Sequence, residues 1–286
     1  MKPKIAITLC SDSGIGLEIL EKSFESSLWQ KCEPCIFTNL NLPDIDIQSH
    51  FVSGHDRLVI EDAAQSCLQK KNDALVTLPV TKKGLGGVGH TEILSSITDL
   101  KTTMFFKSPT LNVSLVTTHI PLSQVAQNVT IDKVITTIEQ TWNALKLYFG
   151  ILNPKIYVAG FDPHCGETGG LIEHEILTPA LRYCVQKKDM DVRGPYPADS
   201  LFHRAHMENA SAVIALYHDQ GLIPLKTLHF FDSCGITLGL PFLRVSVDHG
   251  TAQDLVGKNI ANPASLLYSL QTILEILENQ GHEVQS

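Results

Sequence analysis

Three histidines each close an apolar, β-branched run. His119 ends Val113-Ser114-Leu115-Val116-Thr117-Thr118, and His164 follows the run 155–160 inside Phe161-Asp162-Pro163-His164-Cys165-Gly166-Glu167. His218 ends Ala212-Val213-Ile214-Ala215-Leu216-Tyr217 and precedes Asp219-Gln220-Gly221. Imidazoles delivered by three strand ends can ligate a divalent cation and leave a position open for substrate. Their separations are too long for a local metal motif, so spacing alone leaves a second reading open, in which each histidine caps a strand or fills a polar loop.

A second set of residues suits an anionic substrate. Gly89-His90-Thr91-Glu92 follows a turn containing Gly84, Gly86 and Gly87, and Lys226 closes the loop after His218. Arg244 sits inside Leu240-Pro241-Phe242-Leu243-Arg244-Val245. A charge embedded in such a run needs a partner, either a ligand phosphate or carboxylate or a buried protein carboxylate. A third set, Asp248-His249-Gly250-Thr251-Ala252 through Asn262-Pro263, places small residues after a strand, where a flat ligand can approach the backbone. Ser11-Asp12-Ser13-Gly14-Ile15-Gly16 also precedes a helix, but it is not G-x-G-x-x-G and is not read as a dinucleotide loop.

The elements that must position these residues alternate. Strands are expected at 4–10, 35–39, 74–80, 113–118, 155–160, 211–217 and 236–247. In 132–150, Ile135, Ile138, Trp142, Leu145 and Phe149 predict one buried helical stripe. Leu266, Leu270, Ile273 and Leu277 predict a last helix, with Asn262 as N-cap, Pro263 in the first helical position and Gly281 past the end. The stretch 187–199, with two prolines and dense charge, reads as a connection. This order predicts an α/β fold with a parallel or mixed sheet, whose strand ends carry the functional residues.

The 286 residues carry a formal net charge of −8, which argues against broad binding to nucleic acid or acidic membranes but allows a local anion pocket. The first apolar run, Ile5 to Cys10, is too short for a signal segment, and no run approaches a bilayer's thickness, so a cytoplasmic enzyme is expected. Seven cysteines, an odd number, argue against a disulfide framework. Cys32 and Cys35, though spaced C-x-x-C, read as thiols at an element junction rather than as a redox or zinc pair.

Taken together and in order, certain motifs resemble the 4-hydroxythreonine-4-phosphate dehydrogenase family of pyridoxal phosphate (vitamin B6) biosynthesis. These are Gly89-His90-Thr91-Glu92, Thr117-Thr118-His119, Asp162-Pro163-His164-Cys165-Gly166-Glu167, Gly194-Pro195-Tyr196-Pro197-Ala198-Asp199, Tyr217-His218-Asp219-Gln220-Gly221 and Asp248-His249-Gly250-Thr251-Ala252. The resemblance runs from the first strand to the last helix and is densest from about 155 to 263. His249 to Pro263 also looks like the adenine-binding region of isopropylmalate and isocitrate dehydrogenases, whose fold that family shares.

The resemblance implies an isocitrate/isopropylmalate dehydrogenase-like α/β fold of two lobes with a central mixed sheet and an interlobe cleft. Residues 1–112 with 245–286 would form the NAD-side lobe, and 113–244 the metal, substrate and dimerisation lobe. It implies His119, His164 and His218 as metal ligands, one of them supplied across a homodimer interface, for zinc, magnesium or cobalt. His90, Thr91, Lys226 and Arg244 would bind substrate. His249, Gly250, Thr251, Ala252 and Asn262 would border NAD or NADP, and Lys226, Asp219 and Asp199 would move protons. The implied reaction oxidises 4-phosphooxy-L-threonine at its 3-hydroxyl and decarboxylates the product to 3-amino-2-oxopropyl phosphate.

Some positions depart from the family. Gly235 stands nine residues before Arg244, where the family has a substrate-contacting asparagine; Leu78 replaces a glycine, and Asp162 replaces an asparagine. Cys10-Ser11-Asp12-Ser13 replaces the family's Gly-Glu-Pro-Ala, and the first half is shorter than in typical members. These differences make a related substrate, such as a four-carbon sugar-acid phosphate or a dihydrodiol, the first alternative. A non-catalytic dimer that binds metal or nucleotide is the second.

Overall fold

The structure is a computed structural model that describes residues 2–42, 47–167 and 169–282. The chain forms two compact units, residues 1–102 with 231–286 and residues 103–230. The units divide at 102/103 and 230/231, where the sequence places approximate divisions at 112/113 and 244/245. A strand at Thr103–Lys107 pairs antiparallel with the strand at Val113–Leu115, so it belongs to the second unit. Likewise Cys234–Leu238 pairs antiparallel with Leu243–Val247 and belongs to the first.

In the first unit, β1 (Lys4–Leu9), β2 (Glu33–Thr38), β3 (Ser49–Phe51) and β4 (Ala74–Thr77) are parallel. Strand β4 then pairs parallel with β11 (Leu243–Val247), which pairs antiparallel with β10 (Cys234–Leu238). The expected run 236–247 is therefore two strands. Gly239, with φ of 88°, and Pro241 interrupt it, because neither fits a continuous central strand.

Strands β1 and β4 read as near-continuous apolar runs because helices cover them. They are packed by α2 (Asp56–Leu68) and by α9 (Ala264–Asn279) respectively. The α9 stripe is as expected: Leu266, Leu270 and Ile273 are fully buried and Leu277 nearly so. Each such burial contributes about 1.5–3 kcal/mol. The helix begins one residue later than expected, after Pro263, yet Asn262 Oδ1 still accepts from Ala264 N at 2.9 Å. Gly281, at φ 88°, lies just past the end.

In the second unit, β5 (Thr103–Lys107) pairs antiparallel with β6 (Val113–Leu115). The remaining order is β6-β9-β7-β8, all parallel, with β7 at Lys155–Ala159, β8 at Asp191–Tyr196 and β9 at Ala212–Ala215. Strand β8 lies inside the stretch 187–199 that reads as a connection. Its charges belong to an edge strand: Arg193 Nε donates to Asp191 Oδ1 at 2.8 Å along one face. Helix α5 (Ile131–Leu147) is present, but its buried face is Val134, Thr137, Ile138, Thr141, Ala144 and Leu145. Ile135, Trp142 and Phe149 are only half-buried, so the expected stripe is rotated toward smaller residues.

Because β6, β9, β7 and β8 are parallel neighbours, their C-terminal ends share one edge of the sheet, where open α/β sheets bind ligands. Among the described residues, no helix is long and apolar enough to cross a membrane.

Candidate functional site

In the second unit, four neighbouring strand ends deliver the predicted residues. Strand β6 leads to His119 and β9 to His218, the first residue of α8 (His218–Leu228). Strand β7 leads to His164, in a short 3-10 turn at Pro163–Gly166, and β8 leads to Asp199, in the first turn of α7 (Ala198–Met207). The rings of His119 and His218 lie 5.7 Å apart, centroid to centroid. Two imidazoles on one zinc, at Zn–N of about 2.0–2.1 Å and a tetrahedral angle, would place their centroids about 5.2 Å apart. The observed pair therefore fits a shared cation with a shift of a few tenths of an ångström.

His218 is also oriented. Its Nδ1 lies 2.7 Å from Asp219 Oδ1. The tautomer with its proton on Nδ1 donates to this carboxylate and leaves Nε2 as the electron-pair donor, the arrangement that metal-ligating histidines use. This gives Asp219 a holding role. His164 and Cys165 adopt left-handed backbone, with φ of 56° and 53°. That costs about 1–3 kcal/mol per residue and is held by the surrounding turn. The described residues of one chain contain no group of three His, Cys, Asp or Glu arranged to hold a metal, so His119 and His218 are brought together without His164.

Two side chains tie these strand ends together. Thr117 donates through both N and Oγ1 to Leu216 O, at 3.1 and 2.7 Å, joining the His119 loop to the His218 loop. Buried Gln220 accepts from Leu216 N at 2.7 Å and donates to Gly160 O at 2.8 Å, joining the His218 loop to the end of β7. The sequence places Gln220 in a motif without revealing this double role. Cys165 has its thiol pushed up to about 11 by burial and by the carboxylates of Glu173, Asp199 and Glu167, so it stays protonated near neutrality. All seven cysteines are free thiols, Cys32 just before β2 and Cys35 within it, as a junction predicts.

Lys226 lies elsewhere on α8. It is eight residues beyond His218, about 12 Å along the helix axis, with its ammonium 5.7 Å from the Phe230 ring centroid. Within one chain it is thus set apart from the imidazole pair.

The first unit holds a buried polar cluster. Among the described residues, Arg244, on β11, forms no ion pair, although Glu92 lies near enough to act on its charge. Its Nη1 donates to Thr237 Oγ1 at 2.8 Å and its Nη2 to Thr77 Oγ1 at 2.5 Å, while Nε is buried without a partner. Burial pushes the guanidinium down to about 10, against the opposing effect of Glu92. His90 begins α3 (His90–Thr98), its Nε2 also buried and unpartnered. Thr8 Oγ1 is a third such atom, and Thr8 is in register with Thr77 on the neighbouring strand. Orphaned buried polar atoms are rare in native proteins, and Arg244 Nε with two more, His90 Nε2 and Thr8 Oγ1, makes this unit's buried polar cluster a candidate anion-binding cradle. The half-buried Thr91 sits beside His90 at the start of the same helix, where free N–H groups favour anions. Thr8, Thr77 and Thr237 carry no signal in the sequence, because threonine is an ordinary strand residue.

Burial, and then the Arg244 charge, push His90 down from 6.5 to about 3. Its folded-state value is below its unfolded value, so its contribution to stability is complete above 6.5 and is lost as the pH falls toward 3. Urea unfolding midpoints are expected to fall less steeply across that window in His90→Gln than in the unsubstituted protein. Parallel curves would contradict a buried neutral imidazole.

The segment after β11 is braced from within the first unit. Gly14 (φ 60°) sits so close to Thr251 that a Cβ there would lie 2.0 Å from its carbonyl oxygen, and Ile15 N donates to that oxygen at 3.0 Å. Glu18 accepts from Ala261 N at 2.7 Å, and Lys22 donates to the carbonyls of Asn259 and Ala261 at 2.9 and 3.1 Å. Gly250 would meet nothing within 4 Å if it carried a Cβ, and exposed backbone continues through 257–260. This braced, exposed rim carries the residues expected to border a nucleotide.

Comparisons with known proteins place the chain among relatives of one family and fold. The model of the family described as pyridoxal phosphate biosynthetic protein PdxA matches residues 53–273. The 4-hydroxythreonine-4-phosphate dehydrogenase of Vibrio vulnificus is 39% identical over 262 residues, covering 88% of this chain and 80% of that protein. The crystal structure of 4-hydroxythreonine-4-phosphate dehydrogenase from Klebsiella pneumoniae aligns with a TM-score of 0.81 and 29% identity, covering 96% of this chain and 99% of that one. Isocitrate dehydrogenase from Methylococcus capsulatus aligns with a TM-score of 0.57 over 98% of this chain and 86% of that one. At 14% identity this shows a shared fold alone.

Proposed function

The chain belongs to the PdxA family of pyridoxal phosphate biosynthetic proteins, and from that premise we propose that it oxidises and decarboxylates 4-phosphooxy-L-threonine. The observation that carries this reading is the pairing of His119 with an oriented His218, in a chain that also holds a buried arginine with an unpartnered Nε.

Each set of residues has a task in this scheme. His119 and His218 would hold a divalent cation, with His164 as third ligand, supplied across a homodimer interface. Exposed Ile223, Leu228 and Phe230, on and just after α8, are the kind of apolar surface that a second copy would cover. An all-imidazole set suits zinc or cobalt better than magnesium, which prefers oxygen ligands. When bound, the cation supplies Lewis acidity at the substrate alcohol, and NAD or NADP accepts the hydride.

The chain's own residues do the rest. Arg244, held by Thr77 and Thr237, binds the substrate's anionic group, and His90 and Thr91 complete the cradle. His90 is neutral, so its Nε2 can form a hydrogen bond without adding a competing charge. Asp219 fixes the His218 tautomer. His249, Gly250, Thr251, Ala252 and Asn262 border the nucleotide. Asp199, Asp219 and Lys226 are the groups assigned to carry protons.

The chemistry balances. The C3 hydride leaves to the nicotinamide and the hydroxyl gives up its proton. The resulting ketone lies β to the carboxylate, so the C–C bond breaks to release carbon dioxide. Reprotonation then gives 3-amino-2-oxopropyl phosphate. The location that fits such an enzyme is the cytoplasm.

Purified protein with zinc, NAD and 4-phosphooxy-L-threonine is expected to form NADH and carbon dioxide in equal amounts. NADH without carbon dioxide would remove the decarboxylation step, and no turnover with this compound would remove the substrate assignment. A second reading is favoured by Gly235, which lies on β10 opposite Ser246 and offers no side chain where the family has an asparagine. In that reading the substrate is another alcohol, such as a four-carbon sugar-acid phosphate or a dihydrodiol. Faster turnover of one of these in a substrate panel would establish it.

A further inference from the structure

The backbone just before His164 is unusually well held. Gly160 N donates to Tyr196 O at 2.8 Å, and Gly160 O accepts from Gln220 Nε2 at 2.8 Å. The next two N–H groups, of Phe161 and Asp162, both donate to one oxygen, Glu173 Oε1, at 2.7 Å each. Every backbone polar group from Gly160 N to Asp162 N that could otherwise fray is thus accounted for, apart from the Phe161 carbonyl. Two consecutive N–H groups converging on a carboxylate oxygen form a charge-assisted clamp, stronger than neutral bonds of the same length.

Glu173 is costly to keep there. It is 1% exposed, its Oε2 is buried with no hydrogen-bond partner, and no cation pairs with it among the described residues. A buried carboxyl oxygen left without a partner is a group that native folds rarely tolerate. It also opens a π-helical turn, Glu173–Leu177, a rare geometry that concentrates at functional sites. Gly166 and Gly170 make room for it: a Cβ on Gly170 would lie 2.7 Å from Glu173 Oε2, and one on Gly166 would lie 3.3 Å away. What the clamp fixes is the approach to His164 and Cys165, the consecutive left-handed pair.

We propose that Glu173 is a positioning residue for His164, its carboxylate holding the end of β7 so that the strained turn presents the imidazole in a ligating orientation. The inference rests on the reading of His164 as a cation ligand. Glu173 does not touch the cation; it acts through the backbone of residues 161–162. Outer partners of this kind change metal affinity by about 10- to 100-fold when removed.

The test is titration of the full-length protein with cobalt(II), followed by its visible absorption band, together with thermal unfolding. Glu173→Ala is expected to weaken cobalt binding about 10- to 100-fold and to change the band's intensity. Glu173→Gln keeps an oxygen for both N–H groups and is expected to recover most of the affinity. Ser114→Ala, which breaks the buried hydroxyl pair of Ser114 and Thr141 at 2.6 Å, serves as a destabilised control with unchanged affinity.

Several results would overturn the proposal. One is cobalt affinity in Glu173→Ala equal to that of the unsubstituted protein. Another is an equal loss in Ser114→Ala, which would make the effect general destabilisation. A third is no recovery in Glu173→Gln. If Glu173→Ala does not fold, Glu173→Asp decides: its shorter arm should lower affinity, and unchanged affinity overturns the clamp. Unchanged cobalt binding in His164→Ala would instead remove the ligand reading, and the inference with it.

Discussion

Replacing His218 with alanine is expected to lower kcat/KM by on the order of a thousandfold while leaving the fold intact. His218 opens α8 at the protein surface, and its side chain is 39% exposed, so truncation leaves no buried cavity. Its Nδ1 is held by Asp219 and its ring faces His119, so the loss falls on the proposed cation site. Lewis-acid stabilisation of a developing oxyanion contributes several kcal/mol, and each 1.36 kcal/mol is a tenfold change in rate. Asp219→Asn should have a smaller effect of the same kind, about 10- to 100-fold in metal affinity, because only the orientation of the ring is disturbed. Measured together, activity, zinc content and melting temperature separate the cases. Loss of activity with loss of zinc at constant melting temperature is the expected pattern, and full activity in His218→Ala would dismiss the role.

Arg244→Met should separate activity from stability in opposite directions. Arg244 is 5% exposed, forms no ion pair among the described residues and has a buried unpartnered Nε, so the charge of the ligand-free fold is only partly offset, by Glu92. Replacing buried charged groups with apolar residues of similar length is often neutral or stabilising by about 1–4 kcal/mol. Binding, by contrast, should lose about 2–5 kcal/mol, since the substrate's anion is then buried without its partner. The expected result is a raised KM, a kcat/KM lower by on the order of 30- to several-thousand-fold, and a melting temperature equal to or above that of the unsubstituted protein. Inorganic phosphate should raise the melting temperature of the unsubstituted protein and not that of Arg244→Met. A strongly destabilised Arg244→Met that keeps its KM would make Arg244 structural.

Physical differences between elements explain which parts were legible from sequence. Strands such as β9 and β4, covered on both faces, must be apolar throughout and announce themselves. The ends of those strands are equally visible, because a histidine after an apolar run breaks the pattern at the place where the sheet opens to ligand. That is why His119, His164 and His218 stood out. Strand β8 did not, because an edge strand carrying Asp191 and Arg193 has the composition of a loop. The α5 stripe was misphased for a related reason: Thr137, Thr141 and Ala144 are small or polar, yet they face the interior where Thr141 donates to Thr137 O at 2.7 Å.

The site was legible in its charged residues and opaque in its neutral ones. Arg244 in an apolar strand signals an anion, whereas the threonines that hold it are indistinguishable from any β-branched strand residue until the strands are in register. Gln220 and Glu173 act on backbone groups 60 and 11–12 residues away, a relation that no local pattern records.

The most direct test is an anomalous difference map at the zinc edge, from crystals of the full chain grown with zinc. A single strong peak per chain within about 2.0–2.1 Å of the Nε2 atoms of His119 and His218 is expected, with His164 of a second copy completing the set. Strong zinc peaks that avoid both His119 and His218 would contradict the account.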